Sequence, residues 1–285
     1  MSNVLPGPIP DVLIEPLIRL ALMEDLVPAG DITTDAVVTA ETQIELLIRS
    51  REHGVLAGID AARLAVKLID RDVACDWLLI EGAALQPGEI IGVLRGNARS
   101  ILMAERTALN FLGHLSGIAT TTASYAAAIE DTPTRVTCTR KTTPGLRLLE
   151  KRAVLVGGGV NHRHSLSDAI LIKDNHIFAA GGVSAALERA SAVAGHMRVI
   201  EIEVDTLDQL REALPFEPHC ILLDNMSLGD LREAVKLTAR KSILEASGGV
   251  TLDTIRDIAS TGVDYISVGA LTHRLRRLDF GLDAV

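Results

Sequence analysis

Side chains that could do chemistry recur at the ends of predicted strands in the second half of the chain. The cations come first along the sequence and the carboxylates follow: Arg140, Lys141 and Lys173, then Glu201, Glu203 and Asp224. Glu201 and Glu203 are two positions apart, so they share one face of a strand. Guanidinium and ammonium groups bind anions, and carboxylates bind divalent cations. This arrangement predicts a site for a polyanionic ligand that carries a metal ion.

The charge distribution also favours an anion site. The 285 residues carry 28 Lys and Arg against 37 Asp and Glu, a net charge of −9. Between positions 135 and 176, however, there are eight basic and three acidic residues, which makes this window +5 and leaves −14 for the rest. A solvated surface can also produce a charge run. Here the basic residues lie among glycine, proline and short apolar stretches, which indicates convergence on a ligand.

Composition excludes several classes of protein. Aromatic residues make up 2% of the chain and its net charge is negative, which argues against nucleic-acid binding. No apolar run approaches the roughly 18–20 residues that span a bilayer, and the first 11 residues have no basic patch followed by an apolar stretch, so a secretory signal is not expected. Three widely spaced cysteines (75, 138 and 220) fit neither a zinc cluster nor a disulfide framework. We therefore expect a soluble, cytoplasmic protein.

From position 135 onward, short β-branched runs alternate with amphipathic helices. The predicted strands are 135–139, 169–173, 198–204, 219–224, 242–246 and 264–268, and the predicted helices are 183–194, 207–214, 228–239 and 252–260. So many βα units in about 150 residues favour an α/β barrel over a doubly wound sheet. No Gly-x-Gly-x-x-Gly motif follows the first strand, which argues against a Rossmann domain.

The first part of the chain reads as a separate α+β domain. Helices are predicted at 11–24 and 59–70 and strands at 43–51 and 89–95, with a helix over 100–130 that is interrupted near Gly113 and Gly117. The predicted organisation is an N-terminal α+β sandwich domain over 1–112 and an open α/β barrel over 113–274. The tail, about 275–285, is expected to pack back on the N-terminal domain.

Two glycine-containing loops follow the last two predicted strands, where α/β barrels commonly bind phosphate. They contain Ser247, Gly248 and Gly249 in one loop and Val268, Gly269 and Ala270 in the other. Small residues let backbone N–H groups approach phosphate oxygens.

Several segments together carry a resemblance to a known family. The most specific are TRKTTPGLR (139–147), GGGVNHR (157–163) and LIKDNH (171–176), and further matching segments are 30–34, 105–112, 115–120, 222–226 and 245–250. In this order they resemble the quinolinate phosphoribosyltransferases over essentially the whole chain. The resemblance implies transfer of a phosphoribosyl group from phosphoribosyl pyrophosphate to quinolinate with decarboxylation, yielding nicotinate mononucleotide, CO₂ and pyrophosphate. It also implies magnesium and no organic cofactor.

The resemblance further implies roles for individual residues. Substrate contacts fall on Arg106, Thr139, Arg140, His162, Arg163 and Lys173, with Lys141 near both substrates. Glu203 and Asp224 are expected to face the ribose hydroxyls and the magnesium–pyrophosphate group, and Lys141, Glu203 and Asp224 are the expected catalytic residues. Arg106 is expected to reach in from a neighbouring subunit of a homo-oligomer, either a dimer or a hexamer.

Some positions depart from the family pattern, and some alternatives stay open. Cys138 stands where an acidic residue is common, and Gly113-His114 stands where Gln-Arg is common. The alternatives are a paralogue of molybdenum-transport type, against which TTPGLR and KDNH argue, and a non-catalytic barrel that binds a phosphorylated metabolite, against which Glu203 and Asp224 argue. The participation of Glu201 is open. Arg147, Lys151 and Arg152 could equally form the solvated face of a helix, and 157–159 is interpreted as a linker that terminates it.

Overall fold

The computed structural model describes residues 7–274 and 276–285. Its first elements are α1 (Asp11–Leu26), α2 (Ile32–Val37), β1 (Gln43–Ser50), β2 (Gly54–Val55), α3 (Ile59–Ile69), β3 (Ala74–Trp77), β4 (Ala84–Leu85), β5 (Ile90–Asn97) and α4 (Ala98–Ala127). There follow β6 (Arg135–Thr137), α5 (Arg147–Val156), β7 (Ile170–Ile172), α6 (Asp174–Ala180), α7 (Val183–Ala194), β8 (Ile200–Val204) and α8 (Leu207–Ala213) with a 3₁₀ turn (Leu214–Phe216). The last are β9 (Cys220–Asp224), α9 (Leu228–Thr238), β10 (Ile243–Ser247), α10 (Ile255–Ala259), β11 (Tyr265–Ser267), α11 (Ala270–His273) and β12 (Phe280–Ala284).

The chain forms two compact units. The first contains the described residues of Met1–Ala123, Thr143–Gly158 and Leu275–Val285, and the second contains Ser124–Thr142 and Gly159–Arg274. The units differ in extent from the predicted domains, because 113–123 and 143–158 group with the first unit. Local periodicity cannot show that α5, which follows β6 in the sequence, groups with the first unit.

The first unit is built on a four-stranded antiparallel sheet in the order β12-β1-β5-β3. The predicted strands at 43–51 and 89–95 correspond to β1 and β5, which pair along most of their length. Strands β3 and β12 were not predicted from the sequence. The C-terminal β12 pairs antiparallel with β1, from Leu46 opposite Ala284 to Ser50 opposite Phe280.

Helix α4 is continuous, so the predicted interruption near Gly113 and Gly117 is wrong. The two glycines serve close packing instead. A Cβ at Gly113 would lie 2.6 Å from the carbonyl oxygen of Leu278, and one at Gly117 would lie 2.1 Å from that of Arg276. The glycines therefore let the C-terminal segment of the same unit run against the helix backbone.

Helix α5 does not have the solvated face that was one interpretation of its basic residues. Lys151 and its neighbour Glu150 are both fully buried, at 0% exposure. Glu150 accepts a hydrogen bond from Thr143 N–H at 3.2 Å, and its other oxygen lies 2.8 Å from Nε2 of His114. The helix ends at Val156 with Gly157 as its C-cap, and Gly158 adopts φ +88°, in agreement with the predicted helix-terminating linker.

The second unit is built on a six-stranded parallel sheet in the order β6-β11-β10-β9-β8-β7. Each predicted strand from 135 onward overlaps one of these six, and β10 alone runs one residue past its predicted segment, to Ser247. On the outer side of β6, a parallel bridge joins Thr137 to Val160. The core strand residues are almost fully buried, for example Ile202, Ile221 and Ile266 at 0% exposure. The two units thus give an N-terminal α+β domain followed by an open α/β barrel, as predicted.

Within the described residues, no single helix is both long and apolar enough to cross a membrane. Helices α6 and α7 meet the length and composition criterion only when taken together, and they are bent by 93° at their junction.

Candidate functional site

A cavity of about 550 Å³ opens in the second unit and is lined by residues at the carboxyl ends of its parallel strands. Parallel strands place their carboxyl ends at one edge of a sheet, so residues far apart in sequence meet there. The cavity collects nine of the predicted site residues: Thr139, Arg140, Lys141, His162, Arg163, Lys173, Glu203, Asp224 and Ser247.

Two half-buried guanidinium groups, Arg140 and Arg163, line this cavity. The Nε atoms of both are buried and have no hydrogen-bond partner among the described residues. Nη1 of Arg163 donates to the carbonyl oxygen of Ala169 at 2.9 Å. Burial, and secondarily the neighbouring Arg140 charge, lowers the pKa of Arg163. The fold thus holds two positive charges close together with donors left over, an arrangement suited to an anion.

The turn after β6 fixes the backbone of Lys141. Its N–H donates to Oγ1 of Thr139 at 3.0 Å, and its carbonyl oxygen accepts from Oγ1 of Thr272 at 2.8 Å. The side chain extends past Gly269, where a Cβ would lie 3.5 Å from Cδ of Lys141. Thr139 therefore acts in this structure as a turn-forming residue that positions the exposed Lys141.

The carboxylates stand on neighbouring strands β8 and β9. Glu203 has a side chain 12% exposed and forms an ion pair with Lys173 Nζ. Asp224 ends β9, and its Oδ2 accepts from Nδ2 of Asn225 at 2.6 Å. Both carboxylates line the cavity, so they present oxygen ligands to the same space as the cations.

Glu201 and His162 form a buried pair at the wall of the cavity. Nε2 of His162 lies 2.9 Å from Oε2 of Glu201 and 3.9 Å from Oε1 of Glu245. Nδ1 of His162 accepts the backbone N–H of Arg163 at 2.8 Å. On β9, Sγ of Cys220 is 3.5 Å from the other oxygen of Glu201, and burial together with that carboxylate raises the pKa of the Cys220 thiol. Glu201 and Glu203 therefore have different partners, although they share a strand face.

The predicted phosphate loops are only partly represented in the cavity lining. Ser247 lines the cavity. Gly248 adopts φ +96°, and a Cβ there would lie 2.1 Å from Oδ1 of Asn225, so glycine is needed for the two strand ends to meet. Val268 is 1% exposed, and its N–H donates to the carbonyl oxygen of Thr137 at 2.9 Å. The N–H of Val268 is thus already used within the sheet.

Other predicted residues lie outside the lining: Gly248, Gly249, Val268, Gly269, Ala270 and Arg106. Arg106 belongs to the first unit and stands on α4 with a side chain 65% exposed, 4.0 Å from Glu105.

Five lining residues were not predicted as site residues: Leu171, Asp174, Leu222, Glu245 on β10 and Ser267 on β11. Glu245 is 5% exposed. A glutamate inside an otherwise apolar strand was the signal that could have identified it, because charged residues are almost never fully buried without a partner.

A larger cavity of about 810 Å³ opens at the opposite, amino-terminal ends of the same strands. Its charged lining residues have both signs, with Arg240 and Lys241 beside Glu217 and Asp264. It does not contain the cationic convergence seen around Arg140 and Arg163.

Comparisons with known proteins identify the family of the chain. The model of the quinolinate phosphoribosyl transferase N-terminal domain matches residues 31–116, and that of the C-terminal domain matches residues 118–283. The chain is 46% identical over 274 residues to the nicotinate-nucleotide pyrophosphorylase [carboxylating] of Mycobacterium leprae, covering 93% of this chain and 95% of that protein. It is 41% identical to the probable enzyme of the same name from Bacillus subtilis, covering 94% and 92%.

Solved structures show the same likeness over the whole fold. The crystal structure of NadC from Streptococcus pyogenes superposes with a TM-score of 0.94 at 40% identity, covering 98% of both chains. The nicotinate-nucleotide pyrophosphorylase of Francisella tularensis gives 0.93 at 39% identity, covering 97% and 98%. On these grounds the chain belongs to the quinolinate phosphoribosyltransferase family.

Proposed function

We propose that this protein is a carboxylating nicotinate-nucleotide pyrophosphorylase. It transfers the phosphoribosyl group of phosphoribosyl pyrophosphate to quinolinate, with loss of CO₂ and pyrophosphate, and so makes nicotinate mononucleotide for NAD biosynthesis. The observation that carries the proposal is one cavity in which unsatisfied guanidinium donors face two carboxylates. The relatives over nearly the full length bear this activity in their names.

The cationic side of the cavity is assigned to quinolinate. The forked donors of arginine match a planar dicarboxylate better than the point charge of a lysine ammonium does. Arg140 and Arg163 supply two guanidinium groups whose Nε donors have no partner among the described residues, and Lys173 adds an ammonium with a side chain 45% exposed. Burial is the main cause that lowers the pKa of Arg163, and a bound dianion would relieve the second cause, repulsion from the Arg140 charge.

The carboxylate side is assigned to the ribose hydroxyls and to magnesium. Glu203 and Asp224 fit this ion, since both line the cavity and offer the hard oxygen ligands that Mg²⁺ prefers. Magnesium supplies stabilisation of the negative charge that develops on departing pyrophosphate. Lys173 forms an ion pair with Glu203 in this structure. When ligands bind, the Lys173 ammonium therefore has to contact both the Glu203 carboxylate and the substrate.

No nucleophilic side chain is required by this assignment. The quinolinate nitrogen attacks the anomeric carbon while pyrophosphate leaves, and the resulting pyridinium charge eases loss of the 2-carboxylate. Arg140, Arg163 and Lys141 hold the two anions in one orientation, which removes much of the entropic barrier. Their charges also stabilise the leaving group. The 5′-phosphate is assigned to the two loops that contain Ser247, Gly248, Gly249 and Gly269.

The functional assembly is proposed to be a homo-oligomer, a dimer or a hexamer, in which Arg106 enters a neighbouring subunit's site. Its 65% exposed side chain supports this assignment, because an exposed guanidinium that lies as far as 4.0 Å from Glu105 is available for another anion. The three cysteines, Cys75, Cys138 and Cys220, form no disulfide in the structure, which is compatible with the proposed cytoplasmic location.

A direct assay tests the function. The protein is incubated with quinolinate, phosphoribosyl pyrophosphate and Mg²⁺, and nicotinate mononucleotide and CO₂ are measured. Arg140→Met should lower activity strongly, while Arg240→Ala, which removes an exposed arginine at the opposite end of the sheet, serves as the control and should not. Absence of product, or equal turnover of nicotinate, would refute the carboxylating activity.

A further inference from the structure

The environment of His162 determines which of its nitrogens carries hydrogen. The backbone N–H of Arg163 donates to Nδ1 at 2.8 Å, so Nδ1 acts as the acceptor and holds no hydrogen. In a neutral imidazole the hydrogen is then on Nε2. Nε2 lies 2.9 Å from Oε2 of Glu201 and donates to it. Both ring nitrogens are thereby engaged by the protein.

Glu201 is the group that holds this tautomer. Glu201 is 5% exposed, and its Oε1 accepts a hydrogen bond from Sγ of Cys220 at 3.5 Å. Glu245, also 5% exposed, stands 3.9 Å from the same Nε2, which is beyond hydrogen-bond distance. The carboxylates recorded near Nε2 are thus Glu201 on β8 and Glu245 on β10.

The same three side chains could in principle bind a divalent cation, because ligand atoms of His162, Glu201 and Glu245 lie within 4.8 Å of one another. That arrangement needs Nε2 without hydrogen. The acceptor role of Nδ1 places hydrogen on Nε2, so the contacts in this structure favour a hydrogen bond over a metal bond.

We propose that Glu201 is a positioning residue, which acts through His162 and does not itself contact substrate or metal. It orients the imidazole with Nε2–H turned away from the ligand, so the ring shapes the cavity wall while arginine and lysine supply the donors for the dicarboxylate. This inference rests on the proposed function and assigns Glu201 a role different from that of Glu203, its neighbour on the strand face.

Steady-state kinetics with two variants of the holoenzyme separate this role from ligand contact. In Glu201→Gln the side-chain carbonyl still accepts the Nε2–H, so KM for quinolinate should stay within about threefold of the wild-type value. In Glu201→Leu the donor loses its acceptor and the ring is free to turn, so KM should rise about tenfold or more with a smaller change in kcat. Cys220→Ala is the matched control, because it changes the contact at the other oxygen of Glu201 and should behave like wild type.

Nitrogen NMR of histidine-labelled protein tests the tautomer directly, without substrate. The signals of His162, assigned by their loss in His162→Gln, should show Nδ1 unprotonated and Nε2 protonated in the wild type and in Glu201→Gln. Protonation on Nδ1, or a shift of the Nε2 signal on titration with Zn²⁺ or Mg²⁺ alone, would overturn the proposal. Equal losses of activity in Glu201→Gln and Glu201→Leu would also overturn it, since a ligand to metal or ribose needs the carboxylate itself.

The two measurements distinguish the inference from the function on which it rests. If no nicotinate mononucleotide is formed but the predicted tautomer is found, the function fails and the placement of His162 stands. If the enzyme is active but the tautomer differs, the positioning role fails and the function stands.

Discussion

Replacement of Arg163 by methionine should weaken quinolinate binding strongly and leave the fold nearly as stable as before. Arg163 is half-buried, and its buried Nε has no partner among the described residues. Methionine keeps an unbranched apolar stem and removes the charge. Hydrogen bonds to charged groups are worth about 1.5–3 kcal/mol, which corresponds to about 10- to 150-fold in the dissociation constant.

Two opposing effects govern the stability of the Arg163→Met variant. The variant loses the 2.9 Å hydrogen bond from Nη1 to Ala169, a cost of about 0.5–1.5 kcal/mol. It also removes a desolvated charge beside Arg140, the two causes that lower the pKa of Arg163. Because at neutral pH the guanidinium is charged in both folded and unfolded states, the folded state bears that cost, and its removal is stabilising. We expect the melting temperature to stay within about 4 °C of the wild-type value.

Isothermal titration calorimetry with quinolinate and a thermal unfolding scan of the free protein measure the two quantities. Arg163→Lys keeps the charge without the fork and should fall between wild type and Arg163→Met in affinity. Arg240→Ala controls for loss of any arginine in the same unit. A melting temperature lowered by more than about 10 °C together with unchanged affinity would refute the reasoning, because Arg163 would then be a structural residue.

Three further outcomes follow from contacts and burial within each unit. Gly117→Ala should destabilise the protein by about 1–3 kcal/mol in urea unfolding, because its Cβ would lie 2.1 Å from the Arg276 carbonyl oxygen; a gain of about 1 kcal/mol, as expected for alanine in an unhindered helix, would contradict this. His114→Ala should cost about 1–3 kcal/mol by leaving one oxygen of the fully buried Glu150 without its 2.8 Å partner, and a smaller loss in His114→Gln would identify the hydrogen bond as the cause. Burial, followed by the nearby carboxylates, raises the pKa of Cys220, so at neutral pH an aromatic disulfide reagent should label it about tenfold or more slowly in the folded than in the unfolded protein; equal rates would refute this.

The barrel half of the fold was predictable because its signals are local. Five of the six parallel strands lie within a predicted segment and β10 overlaps one. Position at strand ends identified Arg140, Lys141, Lys173, Glu203, Asp224 and Ser247 of the cavity lining, whereas His162 and Arg163 came from the family resemblance. Strand β12 could not be predicted, since its stability depends on pairing with β1 some 230 residues earlier, as for Ser50 and Phe280. The burial of Lys151 could not be predicted either, because nothing in the neighbouring sequence distinguishes a buried lysine from a solvated one.

By itself, the sequence determined the order of cations and carboxylates along the strands and the alternation that brings their ends to one edge. Both are properties of residue type and spacing, which the chain carries locally. Only the tertiary structure decided which groups are paired: Glu201 holds His162, Glu203 holds Lys173, and Arg140 and Arg163 keep unsatisfied donors. The physical reason is that pairing depends on burial and on distances between strands, and two carboxylates on one strand face can therefore have different roles.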